Sequence, residues 1–264
     1  KVFPNMEVHA STQCHNHNNE GIKLLKELGV TRIVLDREMS LEEIENIDVD
    51  IEKEVFIHGA LCNCYSGCCL FSFMNGGRSG NRGECTQVCR LPFKLIKNGE
   101  YVNNESKYLL STKELNTINN FNKLLDSDIV SFKIEGRMKT ALYVATVART
   151  YRKAIDDYNQ SVETYQKNMD WYLEQISDCT YRQFTTGFFF HKPDYETQIY
   201  DSNTYIREYT YLGIVGKQNE TGGYHIEQRN KFSVGETIEV MKANGDNIEV
   251  KVHAIYDEDV HMLD

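Results

Sequence analysis

The sequence lacks any apolar run near the roughly 18 residues that a membrane-spanning helix needs, so we expect no membrane segment. It contains only three prolines, no low-complexity segment and no internal repeat, which argues against a linker-rich or solenoid protein. The first residues do not show the charged-then-apolar order of a secretory signal. We therefore expect a cytoplasmic protein whose eight cysteines are reduced.

Basic residues are fewer than acidic ones: 29 Lys and Arg against 39 Asp and Glu give a net charge of −10. That balance is unfavourable for nonspecific binding to nucleic acid, although it leaves room for a local basic patch. One candidate patch is the glycine-rich stretch from Gly76 to Asn98, with five basic residues and one acidic residue. Arg78 and Arg82 in this stretch are candidate anion-binding residues. The alternative is a solvated loop paired with acidic neighbours.

Strand-like and helix-like segments alternate through the first part of the chain. Short β-branched runs predict strands over 6–12, 31–36, 54–61 and 130–136. Apolar periodicity predicts helices over 18–28, 40–47 and 140–158, the second with a capping box of Ser40 and Glu43. This alternation is typical of an α/β fold with a parallel sheet. A connecting helix and linker are predicted over 161–204, and alternating segments with turn residues predict a small antiparallel β domain over 205–264.

A long segment without periodicity, residues 62–98, lies between the third and fourth strands and carries six of the eight cysteines. Four of them have the spacing Cys62-x6-Cys69-x15-Cys85-x3-Cys89. Four thiolates can hold a tetrahedral zinc ion or an iron–sulfur cluster, and the wide spacing favours the cluster without excluding zinc. The alternative is buried free thiols, which is the better interpretation for two cysteines outside the segment, Cys14 and Cys179.

The sequence from Glu54 to Ser72 resembles the signature of the collagenase-like peptidase family U32, E-x-F-x2-G-[SA]-[aliphatic]-C-x4-G-x-C-x-[aliphatic]-S. Phe71 stands where the family usually has an aliphatic residue. The stretches 11–13 (STQ), 35–38 (LDRE) and 184–189 (FTTGFF) also resemble the family, although position 36 is more often alanine there. The resemblance covers nearly the whole chain.

The resemblance implies that the four predicted strands are the C-terminal half of a (β/α)8, TIM-like barrel, followed by a small β-barrel-like domain. Residues 1–160 would form this partial barrel around the cysteine segment. The N-terminal half of the barrel is absent from the sequence, and four strands cannot close an eight-stranded barrel. We therefore expect that half to lie outside the chain, or a partner chain to complete the sheet.

The resemblance also implies a reaction. Several family members are associated with hydroxylation of RNA, at C5 of the tRNA wobble uridine or at a cytidine of ribosomal RNA. In these proteins four cysteines hold a 4Fe–4S cluster and prephenate is implicated as a co-substrate. Transferred residue by residue, the cluster ligands here are Cys62, Cys69, Cys85 and Cys89, while Cys64 and Cys68 leave the ligand set slightly open. We expect tRNA as the partner, with ribosomal RNA as the second choice.

Two other functions stay open: a collagenase-like peptidase, from the family name, and a zinc-stabilised RNA-binding module without catalysis. Against ordinary proteolysis, the sequence has no G-x-S-x-G and no H-E-x-x-H motif, although a Cys62–His58 pair is conceivable. Barrel active sites lie at the carboxyl ends of strands. His58 and Glu135 there are candidates for proton transfer, and Arg37 and Arg137 for binding phosphate or the prephenate carboxylates. The alternative for each is a structural ion pair or hydrogen bond.

Overall fold

Strands and helices alternate along the first part of the chain, which confirms the predicted α/β class. The computed structural model describes residues 5–102, 105–179, 181–202, 205–206, 209–243, 245–257 and 261–263. The chain divides into two units, residues 1–206 and residues 207–264. Within the described part of the chain, no helix is both long enough and apolar enough to cross a membrane.

Eight strands and seven helices are described in the first unit. Its strands are β1 (His9–Ala10), β2 (Arg32–Val34), β3 (Glu52–Ala60), β4 (Ile96–Lys97), β5 (Glu100–Tyr101), β6 (Glu114–Asn116), β7 (Ile129–Ile134) and β8 (Phe184–Thr185). Its helices are α1 (Asn19–Glu27), α2 (Leu41–Glu45), α3 (Phe71–Gly76), α4 (Phe121–Leu125), α5 (Ala141–Gln160), α6 (Val162–Lys167) and α7 (Met169–Ser177). The single connecting helix predicted after residue 161 is in fact two, α6 and α7, which meet at Asn168.

The main sheet of this unit is largely parallel. Strands β1, β2, β3 and β7 run parallel as successive neighbours, with Val34 opposite Glu54 between β2 and β3. The end of β3 also pairs with β6, which runs antiparallel, and β8 pairs with β6 in parallel. Since parallel strands place their carboxyl ends at one edge, the residues that follow β1, β2, β3 and β7 are brought to the same side of the sheet.

Local sequence signals explain where the helices begin. Ser40 caps α2, and the reciprocal capping box with Glu43 is present as predicted. Thr140 caps the long helix α5 by accepting from the Tyr143 amide. Asn18 caps α1 in the same manner, through the Gly21 amide. Each cap satisfies an amide that the helix itself leaves unpaired.

The core forms where β3 packs against α5. Val55, Phe56 and Ile57 on β3 are all buried, as are Val147 and Tyr151 on α5. Burying each large apolar side chain contributes roughly 1.5–3 kcal/mol relative to exposure. The sheet edge that carries the candidate site therefore rests on a well-packed base.

The second unit consists of short antiparallel pairs. They are β9 (Gly213–Gln218) with β10 (Tyr224–Gln228), β11 (Thr237–Val240) with β12 (Ile248–Lys251), and β13 (Ile255–Tyr256) with β14 (Met262–Leu263). The turn between β9 and β10 contains Gly222 with φ of +89°, a conformation that glycine adopts without strain.

Candidate functional site

The carboxyl ends of β2 and β3 meet at the start of the cysteine segment. Arg37, just after β2, stacks its guanidinium 4.3 Å from the centre of the Phe56 ring and donates from Nη1 to Cys62 Sγ at 3.6 Å. Desolvation by the surrounding protein raises the pKa of the Cys62 thiol, although part of the residue stays exposed, and Arg37 opposes that rise. Arg37 therefore favours the thiolate form, which is the form that binds metals.

The structure brings the four predicted cysteine ligands together. Desolvation and Arg37 have the largest effects on the pKa of Cys62, and charge on Cys85 and on Cys69 then raises this pKa further. The pKa of Cys89 is raised by desolvation and, further, by charge on each of these three other cysteines. Such electrostatic effects weaken with distance, so these four thiols lie near enough to one another for their charges to interact.

These sulfur atoms are spaced more widely than a single zinc ion needs. Thiolates bonded tetrahedrally to zinc at about 2.3 Å lie roughly 3.8 Å from one another. All eight cysteines belong to the described residues. Among these residues, no three cysteine sulfur atoms lie within 4.8 Å of one another. A single zinc ion would therefore require the cysteine side chains to move closer together.

The other cysteines differ in their surroundings. Desolvation raises the pKa of the Cys64 thiol. The neighbouring Cys69 raises this pKa further, through its charge and a hydrogen bond, and charge on Cys68 adds to the rise. Cys179 is a buried free thiol, as predicted. Cys14 is free but exposed, so the prediction of a buried thiol is wrong there. It lies in a short 3₁₀ turn after β1 and not on an element that faces the core.

Arg90 ties the cysteine segment to the sheet. Its Nη2 donates to the Leu61 carbonyl at 2.8 Å and to Thr112 Oγ1 at 2.9 Å, and its Nη1 donates to Ser111 Oγ at 3.2 Å. The residue is 5% exposed, and desolvation lowers its pKa. Counting Arg90 with the basic surface patch is therefore wrong, because these acceptors hold it inside. It fixes the residues that adjoin Cys62 and Cys89.

Two further contacts close the long gap between Cys69 and Cys85. Ser72 Oγ, at the start of α3, accepts from the Thr86 amide at 3.0 Å. Asn81 Nδ2 donates to the Gly67 carbonyl at 2.8 Å. Because each contact joins a residue near Cys69 to one near Cys85, the segment is folded back on itself and the two thiols stay close.

A cleft of about 110 Å³ opens beside Cys62. Arg37 and Glu38 from the end of β2 line it, together with Gln198 and, from the FTTGFF stretch, Thr185, Gly187 and Phe188. Three buried polar atoms in this wall have no hydrogen-bond partner among the residues that the structure describes: Arg37 Nε, Glu38 Oε2 and Gln198 Oε1. Buried polar groups are nearly always paired, so this donor and these two acceptors are candidate ligand-binding groups of the wall.

The three other candidate arginines lie at the surface. Arg78, Arg82 and Arg137 are all exposed. Arg137 lies against the glycine-rich stretch, since a Cβ added to Gly83 would come within 2.8 Å of its Nη1. Gly83 has φ of +86°, so both its backbone conformation and this contact favour glycine. Arg82 and Arg137 are thus neighbours on one basic surface.

The two predicted proton-transfer residues differ in their exposure to solvent. Glu135 is partly exposed, its amide donates to the His58 carbonyl at 2.8 Å, and its Oε1 accepts from the Arg137 amide at 3.0 Å. His58 is 1% exposed, with the Tyr151 hydroxyl 3.4 Å from its Nδ1 and the rings of Tyr143 and Phe184 around it. Burial, with a smaller effect from Lys139, lowers its pKa to about 3. His58 is therefore a neutral core residue that a substrate in the cleft does not reach.

Sequence reasoning missed three residues that shape this site. Glu38 adjoins the predicted Arg37 and could have been found with it. Arg90 follows a cysteine, yet nothing in the local sequence indicates that its side chain turns inward. Gln198 reaches the cleft because its segment pairs antiparallel with Thr112, which is a tertiary contact.

Comparisons with known proteins identify the family of the chain. Residues 1–199 match the family model described as peptidase family U32, and residues 207–264 match the model of that family's C-terminal domain. The chain belongs to peptidase family U32. No solved structure matches it.

Relatives within the family carry different names. The chain is 38% identical over 273 residues to tRNA hydroxylation protein P1 of Bacillus subtilis, covering 100% of this chain and 64% of that protein. It is 45% identical over 156 residues to the 23S rRNA 5-hydroxycytidine C2501 synthase of Escherichia coli, covering 58% of this chain and 24% of the synthase. A protein named collagenase from Porphyromonas gingivalis is 31% identical over 246 residues, covering 84% of this chain and 59% of that protein.

Proposed function

We propose that this chain is the cluster-binding part of an RNA-hydroxylating protein, and that its substrate is the wobble uridine of tRNA, hydroxylated at C5. The observation that carries the proposal is the cysteine quartet (Cys62, Cys69, Cys85 and Cys89) next to a cleft with unpartnered polar atoms. The names of the bacterial relatives support the reaction class. The chain spans only part of those relatives, so the activity belongs to the longer protein.

The cysteine quartet has the donor set that a 4Fe–4S cluster requires, four thiolates from one chain segment. The wide spacing of these four cysteines in the sequence favours a cluster over zinc, whose sites usually have two close cysteine pairs. Arg37 donates to the sulfur of Cys62, and such hydrogen bonds are one means by which a protein adjusts a cluster's potential. When bound, the cluster would supply electron transfer at the edge of the cleft.

The cleft suits a small organic acid, and we propose prephenate as the co-substrate. Arg37 Nε is an unpartnered donor that can donate to a carboxylate oxygen. Glu38 Oε2 and Gln198 Oε1 are acceptors for a hydroxyl group. The other oxygen of Glu38 already accepts from the Ser66 amide at 3.1 Å, so the carboxylate is oriented before any ligand arrives.

An RNA substrate would meet the basic surface of Arg78, Arg82 and Arg137. This surface gives phosphate-binding groups to a chain whose net charge is −10. Two exposed aromatic residues of the same segment, Tyr65 and Phe73, are 67% and 60% exposed and could stack on unpaired bases. Reduced thiols and tRNA occur together in the cytoplasm, which is where we place the reaction.

For the fold, we propose that β1, β2, β3 and β7 are part of a (β/α)8 barrel. They are successive parallel neighbours, and helices lie between them in the sequence. Four strands do not close such a barrel, so the remaining strands would come from elsewhere in the longer protein or from a partner chain. The polar residues after β2 and β3 would then lie at the barrel's carboxyl-terminal face, where barrel enzymes hold their substrates.

The peptidase alternative has weaker support in this chain. A Cys62–His58 nucleophile pair would need an accessible histidine that can accept a proton. His58 is instead enclosed by aromatic rings, and its pKa is about 3 because it is buried. The relative named collagenase keeps this alternative as an outcome of the experiment below.

The test measures modified nucleosides in tRNA and ribosomal RNA from a strain that lacks the full-length gene. Complementation with the parent gene is expected to restore 5-hydroxyuridine-derived nucleosides in tRNA, and Cys62→Ser is expected to fail. Cys14→Ser is the matched control, because Cys14 is an exposed thiol outside the quartet, and it should restore the modification.

Two further measurements separate the alternatives. Anaerobically purified parent protein should contain about four iron atoms per chain, as one cubane cluster requires, and Cys62→Ser much less. One zinc per chain that is lost in Cys62→Ser, with RNA binding but no modified nucleoside, would establish the RNA-binding module instead. Gelatin cleavage that survives iron removal would establish the peptidase. Loss of hydroxycytidine in ribosomal RNA with normal tRNA would change the substrate but keep the reaction.

A further inference from the structure

Three metal-ligating side chains outside the cysteine quartet converge just after β1 and β2. Asp36 Oδ2 lies 2.8 Å from His15 Nδ1 and 3.5 Å from His17 Nδ1. These three atoms all lie within 4.8 Å of one another, and the two imidazole rings are 4.2 Å apart. No metal-binding sequence motif marks these three residues.

The fold holds this group through Asn16, which lies between the two histidines. The Asn16 amide nitrogen of the backbone donates to Asp36 Oδ1 at 3.0 Å, and the Asp36 amide donates back to the Asn16 carbonyl at 3.2 Å. The buried side chain of Asn16 donates to the Ser11 and Val34 carbonyls, each at 2.9 Å. The ends of β1 and β2 are therefore tied to the turn that carries both histidines.

The Asp36 carboxylate is prepared for a ligand on one side only. Its side chain is 2% exposed. Oδ1 accepts a hydrogen bond from the Asn16 backbone amide, whereas Oδ2 accepts none of acceptable geometry from the residues that the structure describes. The two histidine side chains facing Oδ2 are 42% and 43% exposed. A buried anionic atom thus faces two imidazoles that remain open to solvent.

The distances suit a shared ion. Nitrogen and oxygen ligands bonded to a transition metal at about 2.1 Å lie roughly 3.0–3.4 Å apart, depending on whether the geometry is octahedral or tetrahedral. The two observed distances from Asp36 Oδ2, 2.8 and 3.5 Å, bracket that range. His17 would exchange two weak contacts on binding, Nδ1 to the His15 carbonyl at 3.1 Å and Nε2 to the Asn18 amide at 3.3 Å.

We propose that His15, His17 and Asp36 form a second metal site, which binds one divalent first-row transition-metal ion such as Fe²⁺ or Zn²⁺. Two imidazoles and one carboxylate are a ligand set for these ions, and three protein ligands leave coordination positions open. The exposed side of the histidines is where water or a small ligand would complete the shell. This site contains no cysteine and does not depend on the proposed RNA hydroxylation.

Cobalt binding to the full-length protein distinguishes this site from the cysteine quartet. Co²⁺ bound by nitrogen and oxygen shows visible d–d absorption without the near-ultraviolet charge-transfer band that thiolate ligands produce. We expect the parent protein to bind one such cobalt ion, measured by absorption and by equilibrium dialysis. Zn²⁺ should displace it, and Fe²⁺, which such sites bind more weakly than Co²⁺, should do so only in excess. If every bound cobalt ion shows thiolate charge transfer, the proposal is wrong.

Two variants and one control locate the ion. Asp36→Asn keeps the acceptor for the Asn16 amide but removes the anionic oxygen, and His17→Gln changes an exposed side chain, so both should fold. Each should weaken cobalt binding by more than about 10-fold, because even changes outside the ligand shell cost 10–100-fold. His261→Gln removes a histidine paired with one aspartate, Asp257 at 3.2 Å, and should leave the affinity unchanged. Parent-like affinity in both Asp36→Asn and His17→Gln would overturn the site.

Discussion

Replacing Arg90 by alanine should destabilise the first unit more than any other single arginine change in the cysteine segment. The guanidinium donates to the Leu61 carbonyl and to the hydroxyls of Thr112 and Ser111, all of them at least partly removed from water. Hydrogen bonds to a charged group contribute roughly 1.5–3 kcal/mol each, and these three share one donor group, so their losses do not add fully. We expect a loss of about 3–5 kcal/mol, comparable to breaking a buried ion pair.

The assay is urea unfolding of iron-free full-length protein, followed by tryptophan fluorescence. The one tryptophan of this chain, Trp171, lies on α7, so its fluorescence reports on the first unit. Removing iron first keeps metal binding from adding to the measured stability. Arg82→Ala is the matched control, because Arg82 is exposed on the same segment, and its effect should stay within about 0.5 kcal/mol.

The same change should also lower the iron content of anaerobically purified protein, since Arg90 positions the residues next to Cys62 and Cys89. An Arg90→Ala protein that loses less than about 1 kcal/mol, within the range of a surface substitution, would refute the anchoring argument. So would an equal loss in Arg82→Ala, because the effect would then belong to the charge of the segment and not to the buried contacts.

Three further changes test other parts of the fold. His58 has a pKa of about 3 in the folded state, below its value in the unfolded chain. The free energy of unfolding should therefore decrease as the pH falls from about 6.5 to 3, by up to ~1.4 kcal/mol per pH unit. His58→Gln should remove this dependence in urea titrations. Gly59→Ala places a Cβ 2.3 Å from the Glu135 carbonyl at φ of +111°, so we expect a loss of roughly 3 kcal/mol or more by thermal unfolding. Ser40→Ala removes the cap of α2 and should cost about 1 kcal/mol in the same assay.

Each of these changes has a control within the chain. His225→Gln alters an exposed histidine of the second unit and should keep the pH dependence attributed to His58. Gly76→Ala adds a Cβ that meets nothing within 4 Å, so it should be neutral or slightly stabilising. A Glu43→Gln protein retains an acceptor for the Ser40 amide and should lose less than Ser40→Ala. The corresponding explanation fails wherever variant and control behave alike.

The sequence was sufficient to predict the strands and helices whose signals are local. Alternating β-branched residues identified β2, β3 and β7, and the cap at Ser40 fixed the start of α2. The strands β6 and β8 were missed because they are short and exist through pairing with the distant β3 and with each other. Glu114 on β6 is fully buried, which no local pattern indicates, because two cations far along the chain, Lys139 and Arg182, surround it.

The candidate site was predictable to a similar extent. Cysteine spacing identified a soft-metal segment, because sulfur ligands must come from the few cysteines that the chain has. Exposure could not be predicted, since Arg90 and Arg82 lie in one basic stretch, yet one is buried and the other is open to solvent. His58 was assigned to the active site because it follows the strand pattern of a barrel end. Alternation along β3 could not reveal that aromatic residues from α5 and β8 close over it.

Three consecutive residues after β2 show why the end of this strand matters more than its length suggests. Asp36 turns to the histidine pair, and Arg37 lies over the Phe56 ring and reaches Cys62. Glu38 accepts from the Ser66 amide, while its other oxygen has no hydrogen-bond partner among the described residues. The pairing of β2 with β3 fixes where the chain leaves the sheet, so a shift of one residue would displace all three side chains. The register that places Val34 opposite Glu54 therefore sets the cysteine quartet, the cleft and the proposed second metal site together.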